Sequence, residues 1–341
     1  MSPQPGVFDF HVHAGDAFRT HEISAYIRDT QLTGLCLLSL PTAGYPGADK
    51  LPPHMNEAVL ESKKRLSASE NIPVYAFGCL DNRDLLPASR AGGAVKSLPS
   101  PAEQIAILHE AGFDGLKLWE GKPLLAAALG LKPQHQRLVD ACREAGRRDM
   151  PVIFHVADPP EFWTRAAGET AYGDGLPGFD ELIEGAALLC EQAPETQIVF
   201  PHLLFLAGDL KRAASFLERL PNASLDLAPG NYAYEPLAAD RETSIAFFTE
   251  YSKRILFGTD AFFFTVDAFP LPGDSLEGNC RRCSRLLSFL SGGKDVENPY
   301  PLASVGARRV RGLSLPGHFL ADILAGNAHR ILTKPPKEVG G

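Results

Sequence analysis

Two histidines near the start of the chain, His11 and His13, have the spacing of a metal-binding pair. In a β-strand, residues two apart point to the same face and lie about 7 Å apart, so both imidazoles can reach one cation beyond the strand's carboxyl end. Apolar residues alternate with Asp9 and the histidines here, which predicts one apolar and one polar face. Asp9 is expected on the histidine face, one layer deeper, in a structural hydrogen bond. The alternative is an edge strand with ordinary polar residues, because an HxH pair alone is a weak signal.

Three later apolar runs also end in residues that bind metals. The runs VIFH, VFPH and LFGTD end in His155, His202 and Asp260. If these runs are parallel strands, their carboxyl ends meet on one face of the fold, where barrel enzymes carry their chemistry. A lone histidine at a strand end is more often a hydrogen-bonded core residue than a metal ligand. Together with His11 and His13 they predict a metal site.

The elements that must position these residues alternate between strand and helix along the chain. Seven further strands are predicted at 34–40, 73–80, 113–119, 151–156, 197–202, 223–227 and 254–260. Helices are predicted at 20–29, 55–68, 101–111, 134–148, 179–192, 209–219 and 241–251. Eight strands in this pattern predict an α/β fold of the (β/α)8 TIM-barrel type. An open nucleotide-binding sheet is disfavoured because no glycine-rich turn follows the first strand.

The whole chain, residues 1–341, is predicted to form one barrel domain with a helical tail at about 316–332. Three long connections, 81–100, 158–178 and 261–277, follow strands and therefore belong to the carboxyl face. Long loops there are expected to form pocket walls or lids. Two aromatic residues of carboxyl-face loops, Trp163 and Tyr232, are candidates for lining a substrate pocket, with packing of the loops as the alternative.

Charge and composition exclude several classes of protein. The formal net charge of −8 gives no basic surface for nucleic acid. The sequence has no apolar run of membrane-spanning length and no secretory signal at its start, so a cytoplasmic protein with no membrane partner is expected. Six cysteines in strand-like and helix-like runs agree with reduced thiols. A homodimer is the default expectation for such an enzyme.

The constellation of HxH after the first strand, His155, His202 and Asp260 resembles the amidohydrolase superfamily. The resemblance is nearest to its amidohydrolase-2 branch, which includes aminocarboxymuconate-semialdehyde decarboxylase. It extends over essentially the whole chain and includes the stretches GFDGLKLWEGKP at 112–123 and GNAHRIL at 326–332. As a constellation the signal is specific, whereas each motif alone is weak.

The resemblance implies a set of roles. His11, His13, His155 and Asp260 would hold one divalent ion, with zinc the first choice and manganese, iron or cobalt as alternatives. His202 and Asp260 would be the catalytic groups. Three imidazoles and a carboxylate leave an open position for water on such an ion, which lowers the pKa of that water towards about 7.

Lys117 has three interpretations. It alternates with Leu116 and Leu118, so it points into the barrel mouth if the leucines face the helices. It then binds an anionic substrate, forms an internal ion pair, or is carboxylated to bridge two metals as in binuclear relatives. Trp119, two residues on, is a further candidate for substrate binding.

The predicted function is metal-dependent hydrolysis of a C–N or C–O bond in a small, polar, anionic substrate. One alternative is non-oxidative decarboxylation of an unsaturated or aromatic acid. Another is a metal-binding barrel without catalysis. A metal-dependent deoxyribonuclease barrel is disfavoured because Lys117 stands where that class needs a glutamate ligand.

Glu120 and Lys122 in the loop after the fourth strand are expected to pair with each other.

Overall fold

A computed structural model describes residues 6–46, 51–91, 95, 97–164, 172, 175–229, 233–264, 275–299 and 307–333. Nine parallel strand segments form one curled sheet in the order β8-β7-β6-β5-β4-β3-β2-β1-β9. They are β1 Val7–Ala14, β2 Leu32–Leu38, β3 Val74–Gly78, β4 Gly115–Gly121, β5 Val152–Val156, β6 Ile198–Phe200, β7 Ala223–Asp226, β8 Ile255–Leu256 and β9 Ala261–Phe263. With the helices around the sheet, this confirms the predicted (β/α)8 barrel class.

The sheet closes through the interrupted eighth strand. β8 pairs with β7, and β9 pairs with β1, so one stretch of chain bridges the two edges. Between the two segments, Phe10 N donates to Phe257 O and Asp260 N donates to His11 O, each at 2.9 Å. The predicted single strand at 254–260 is therefore wrong in extent. Asp260 has a φ of +58°, a left-handed conformation that breaks the strand at this residue.

Twelve α-helices are described. They are α1 Thr20–Thr30, α2 Asn56–Ser69, α3 Pro101–Ala111, α4 Pro123–Leu129, α5 Gln136–Arg147, α6 Phe179–Gln192, α7 Leu210–Arg219, α8 Tyr234–Ala239, α9 Arg241–Glu250, α10 Leu276–Ser291, α11 Gly317–Ala321 and α12 Asn327–Leu332. The seven helices predicted between the strands match within two residues at each end. α3 matches fully because Ser100 and Glu103 form a capping box and Gly112 ends the helix with a φ of +97°.

The sequence did not predict α4, α8 or a small antiparallel hairpin of β10 Asp295–Glu297 and β11 Arg309–Arg311. These elements are short, and tertiary contacts stabilise them more than local sequence preferences do. Of the helices in the described part of the chain, none combines the length and apolar character needed to cross a membrane.

The tail packs under the barrel. A π-helical turn, Asp322–Gly326, joins α11 and α12 into a continuous helical stretch. Ala325, Ala328 and Ile331 belong to the same apolar cluster as Phe8 and Phe10 of β1. The tail therefore covers the interior apolar cluster of the barrel at the end opposite to the carboxyl ends of the strands.

The predicted alternation of β1 is wrong in one respect. Pairing with β2 is irregular between Asp9 and Val12. As a result Phe8 and Phe10 lie in the barrel interior, whereas Val12 packs with the helix-facing cluster. Asp9 points towards the helices and accepts a hydrogen bond from Tyr26 Oη of α1 at 2.7 Å. It is thus the structural acceptor that was expected, but it does not share a face with the histidines.

Candidate metal centre

The two histidines of β1 and the acid after β8 meet at the carboxyl face. His11 Nε2 lies 3.1 Å from His13 Nε2, and these nitrogens lie 3.4 and 3.3 Å from Asp260 Oδ1. The three residues form a group whose ligand atoms lie within 4.8 Å of one another. We call His11 and His13 the first histidine pair. β1 supplies this pair as i and i+2, and the left-handed Asp260 turns its carboxylate towards it.

Asp226, the last residue of β7, holds His11 of the first pair by a hydrogen bond. Its Oδ2 accepts from His11 Nδ1 at 2.8 Å, and its Oδ1 accepts from His202 N at 3.3 Å and Ala228 N at 2.8 Å. Asp226 was not among the residues predicted for the site. One signal in the sequence could have indicated it: an acid stands within the mostly apolar run 223–228. A buried strand tolerates a carboxylate only where hydrogen-bond or charge partners surround it.

The donor set suits a divalent cation. Because His11 donates its Nδ1 hydrogen to Asp226, its Nε2 presents a lone pair towards Asp260 Oδ1. Two acceptors cannot bond to each other, but a cation between them satisfies both. Imidazole nitrogen and carboxylate oxygen are the ligands that zinc and manganese take in proteins.

The electrostatics agree with this interpretation. Burial lowers the pKa of His11 well below its usual value and that of His13 to about 4, so both are neutral near pH 7. Burial also opposes ionisation of Asp260, but the adjacent imidazoles, that of His13 first, hold the pKa of its carboxyl well below the usual range. Neutral imidazoles and an ionised carboxylate are the forms that bind a metal.

His155 and His202 form a second histidine pair beside the first. His155 Nδ1 lies 3.3 Å from His202 Nε2, and the ring centroid of His202 lies 5.6 Å from that of His11. His202 Nδ1 contacts Ala228 O at 2.9 Å, and His155 Nε2 contacts Ala157 O at 3.0 Å. If both rings donate to these carbonyls, two lone pairs face each other. Among the described residues the compact ligand group comprises His11, His13 and Asp260, so His155 lies outside it, beside His202.

The turn after β6 has an unusual backbone. Four consecutive residues that are not glycine have left-handed φ values: His202 at +60°, Leu203 at +52°, Leu204 at +53° and Phe205 at +55°. Each costs roughly 1–2 kcal/mol. The turn brings the Phe205 ring to 5.0 Å from His202, stacked on it, and to 5.7 Å from His155. Phe205 therefore packs against both imidazoles of the second pair, and no pattern in the sequence predicts this contact.

Lys117 of β4 is buried in the barrel mouth. Its neighbours Leu116 and Leu118 pack in the helix-facing cluster. Burial lowers the pKa of Lys117 to about 8, against the opposing charges of Asp226 and Asp260. Within the described part of the chain, no carboxylate lies within 4.0 Å of its amine, so the internal ion pair is not observed.

The three predicted aromatic contacts have different positions. Trp119 is half-buried, stacks on Tyr45 at 4.6 Å and points an edge towards His155 at 6.5 Å. Trp163 packs inside its own loop, where its Nε1 donates to Pro177 O at 3.1 Å. Tyr232 lies outside the described residues. Only Trp119 of the three is shown beside the histidines.

The expected pairing of Glu120 with Lys122 is wrong. Lys122 Nζ donates to Asp158 Oδ1 at 2.5 Å, and Glu120 Oε1 accepts from Asn82 Nδ2 at 2.7 Å. The two side chains diverge because Glu120 is buried, and burial raises its pKa to about 7, whereas Lys122 reaches across to the loop after β5. Asp158 also lies 3.6 Å from His155 Nε2, so it links Lys122 to the second pair.

A closed parallel barrel with histidines and acids at the carboxyl ends of its strands has the architecture of a barrel enzyme. A family model described as Amidohydrolase matches residues 84–333, so the chain belongs to the amidohydrolase family, whose members are metal-dependent enzymes. This confirms the resemblance that the sequence motifs indicated. A search of curated proteins finds no match.

Solved structures with the same fold include enzymes of two reaction types. The 5-carboxyvanillate decarboxylase LigW from Sphingomonas paucimobilis is 10% identical with a TM-score of 0.54, and the match covers 97% of this chain and 99% of that one. A putative 2-pyrone-4,6-dicarboxylic acid hydrolase from Pseudomonas putida is 11% identical, with a TM-score of 0.52 and coverages of 96% and 97%. A dihydroxybenzoic acid decarboxylase from Polaromonas with bound manganese is 13% identical, with a TM-score of 0.54 and the same coverages. At these identities the likeness concerns the fold.

Proposed function

We propose that the protein is a metal-dependent hydrolase that acts on a C–N or C–O bond of a small anionic substrate. The observation that carries this proposal is the convergence of His11 Nε2, His13 Nε2 and Asp260 Oδ1 within 3.4 Å of one another. These three residues hold one divalent cation, zinc by first choice and manganese, iron or cobalt as alternatives. His155 is the fourth ligand of this proposal, since its Nδ1 lies 3.3 Å from His202 Nε2 and the His202 ring borders that of His11.

The bound cation supplies Lewis acidity, which polarises a carbonyl and brings the pKa of a water towards about 7. Asp260 accepts a proton at its carboxylate from the attacking water and later passes it to the leaving group. His202 keeps its Nδ1 hydrogen on Ala228 O, so its Nε2 is the nitrogen that orients the substrate. Lys117 binds the negative group of the substrate with its amine, which has no carboxylate within 4.0 Å among the described residues.

Decarboxylation of an aromatic or unsaturated acid is the second candidate. Aromatic rings border the metal-binding residues: Phe262 stacks on His13 at 4.7 Å, and Trp119 lies beside His155. Such rings favour a flat substrate. The decarboxylases among the structural neighbours act on carboxylated rings by their names, which makes this class worth testing in parallel.

The test is a parallel assay of the zinc- and manganese-loaded protein on lactones, amides and hydroxylated benzoic acids. Ring opening or amide cleavage supports hydrolysis, and release of CO2 supports decarboxylation. Either activity should disappear in Asp260→Asn and persist in Glu195→Gln, which changes an exposed acid in the loop between α6 and β6. Metal binding without turnover on any of these compounds contradicts the enzyme proposal.

Cytoplasmic location and a homodimer remain predictions.

A further inference from the structure

Asp260, the acid of the metal centre, is held in an uncommon backbone conformation. Its φ of +58° lies in the left-handed region, which few residues other than glycine adopt. The direction of a side chain follows the backbone that carries it. The contacts that maintain this φ therefore also direct the Asp260 carboxylate towards His11 Nε2 and His13 Nε2.

On one side of Asp260, strand β1 holds the backbone. Asp260 N donates to His11 O at 2.9 Å. Thr259 N donates to Asp9 Oδ1 at 3.0 Å, and Thr259 Oγ1 donates to Asp9 Oδ2 at 2.6 Å. Asp9 Oδ1 also accepts from His11 N at 3.1 Å. The strand that carries the first histidine pair is thus joined to the residue before Asp260.

On the other side, two residues of α10 hold the backbone. Asn279 is buried and binds Phe262 twice, because its Nδ2 donates to Phe262 O at 2.8 Å and its Oδ1 accepts from Phe262 N at 3.3 Å. Arg282 Nη1 donates to Asp260 O at 2.5 Å. The guanidinium of Arg282 also lies 5.8 Å from the centre of the Phe262 ring. Asn279 and Arg282 are three residues apart and therefore share one face of the helix.

Helix α10 is anchored in the protein core, so it can hold these contacts in place. Four of its residues are buried in the helix-facing cluster: Cys283, Leu286, Phe289 and Leu290. The Phe262 ring in turn stacks on His13 at 4.7 Å. Arg282 therefore contacts the backbone of one metal-binding residue and the ring that packs on another.

Arg282 affects a cation at this site in two opposite ways. Its positive charge disfavours a second positive charge nearby. The same influence is seen at His11, where burial first, and then positive groups that include Lys117 and Arg282, lower the pKa. The hydrogen bond to Asp260 O, in contrast, favours the cation by keeping the carboxylate directed at the histidines. Truncation of Arg282 removes both effects, so the sign of the change in metal affinity shows which one is larger.

We propose that Arg282 is a positioning residue of the metal centre, which holds Asp260 in its left-handed conformation so that the carboxylate faces His11 and His13. This inference rests on the metal-binding part of the proposed function. It applies equally to a hydrolase and to a decarboxylase, because it concerns the binding of the cation and not the reaction.

The test is the affinity of the full-length protein for cobalt(II), measured by competition with a chelator. Arg282→Met removes the charge and the hydrogen-bond donor. Affinity should fall by about 10- to 100-fold, the range found for residues that orient a metal ligand. Arg282→Lys keeps the charge and a donor and should recover part of the loss. The visible absorption of bound cobalt(II), which depends on the ligand geometry, should change in Arg282→Met and return towards that of the wild-type protein in Arg282→Lys.

Arg281→Met is the matched control. It removes the neighbouring arginine of the same helix, which is exposed and lies 3.6 Å from Glu277. Affinity and spectrum should both stay unchanged. Urea unfolding of all variants separates a purely structural role, because an arginine that only stabilises the fold would lower stability and leave the cobalt spectrum as it is. If Arg282→Met does not fold, reduced affinity in Arg282→Lys decides, since that variant keeps the charge.

The outcomes for binding and for turnover are distinguishable. Unchanged or higher affinity in Arg282→Met overturns the positioning role, and higher affinity would mean that only the charge of Arg282 acts. A wild-type protein that binds no cobalt(II) overturns this proposal together with the metal centre. Metal binding that depends on Arg282, without turnover on any substrate, supports the positioning role and contradicts only the catalytic proposal.

Discussion

The two histidine pairs at the barrel mouth are built in different ways. The first pair comes from one strand, with the Asp260 carboxylate 3.3 Å from His13 and Asp226 2.8 Å from His11. The second pair comes from two strands. Each imidazole of the second pair contacts a backbone carbonyl and the other imidazole of the pair. The nearest carboxylate, that of Asp158, lies 3.6 Å from His155 Nε2. Carboxylates therefore hold the imidazoles of the first pair in place, whereas backbone carbonyls and the Phe205 ring hold those of the second.

This difference separates two tasks within one site. Carboxylates beside the first pair attract a cation and fix which nitrogen of His11 presents its lone pair. The second pair contributes neutral nitrogens whose direction depends on a strained turn. We infer that metal affinity depends most on the first pair and its acids, and that ligand orientation depends more on the second.

The largest effect is expected at Asp260. In Asp260→Ala the first pair loses the carboxylate that neutralises the cation, so metal content should fall from about one equivalent to a small fraction of one. Activity should fall by about three orders of magnitude, which corresponds to several kcal/mol of transition-state stabilisation. Elemental analysis after dialysis and steady-state rates measure the two quantities. Retention of stoichiometric metal would remove Asp260 from the ligand set.

The second pair should respond unequally to truncation. His155→Ala should weaken metal affinity by more than about 100-fold if His155 is the fourth ligand, since even partners of ligands matter by 10- to 100-fold. His202→Ala should lower the rate and leave metal content near that of the wild-type protein. Chelator competition gives both affinities. Equal loss in the two variants would contradict the proposed division between ligand and catalytic histidine.

Asp226→Asn should have a smaller effect. The amide oxygen can still accept from His202 N and Ala228 N, but the amide nitrogen then faces His11 Nδ1, and two donors repel. Metal affinity should fall about 10- to 100-fold with little loss of stability. Asp114→Asn is the matched control, because Asp114 pairs with Lys63 and Ala76 N away from the site. Unchanged metal affinity in Asp226→Asn would mean that the Asp226 carboxylate is not needed to orient His11.

The sequence predicted the first pair better than the second for a physical reason. HxH is a local pattern, and strand ends at His155, His202 and Asp260 follow from apolar runs, so the barrel and its carboxyl face could be inferred. The irregularity of β1, the break before Asp260 and the turn at 202–205 depend on tertiary packing and carry no local signal. Asp226 matters through partners that are distant in sequence, which no spacing rule reveals.

The smallest expected effect concerns the strained turn that organises the second pair. At Leu204, glycine avoids the left-handed penalty of roughly 1–2 kcal/mol but adds about 0.5–1 kcal/mol of backbone entropy. Both Leu204→Gly and Leu204→Ala remove the buried isopropyl group beyond Cβ and differ from each other by one methyl group, so their difference reports mainly on the backbone. We expect the glycine variant to be more stable by about 1 kcal/mol in urea unfolding.

Leu188 of α6 provides the matched control, since it is partly exposed and lies in a regular helix. There alanine should be more stable than glycine by about 1 kcal/mol. The two positions should therefore show opposite signs. The same sign at both would mean that the turn after β6 carries no strain, and packing of Phe205 on His202 and His155 would then be sufficient to hold the second pair.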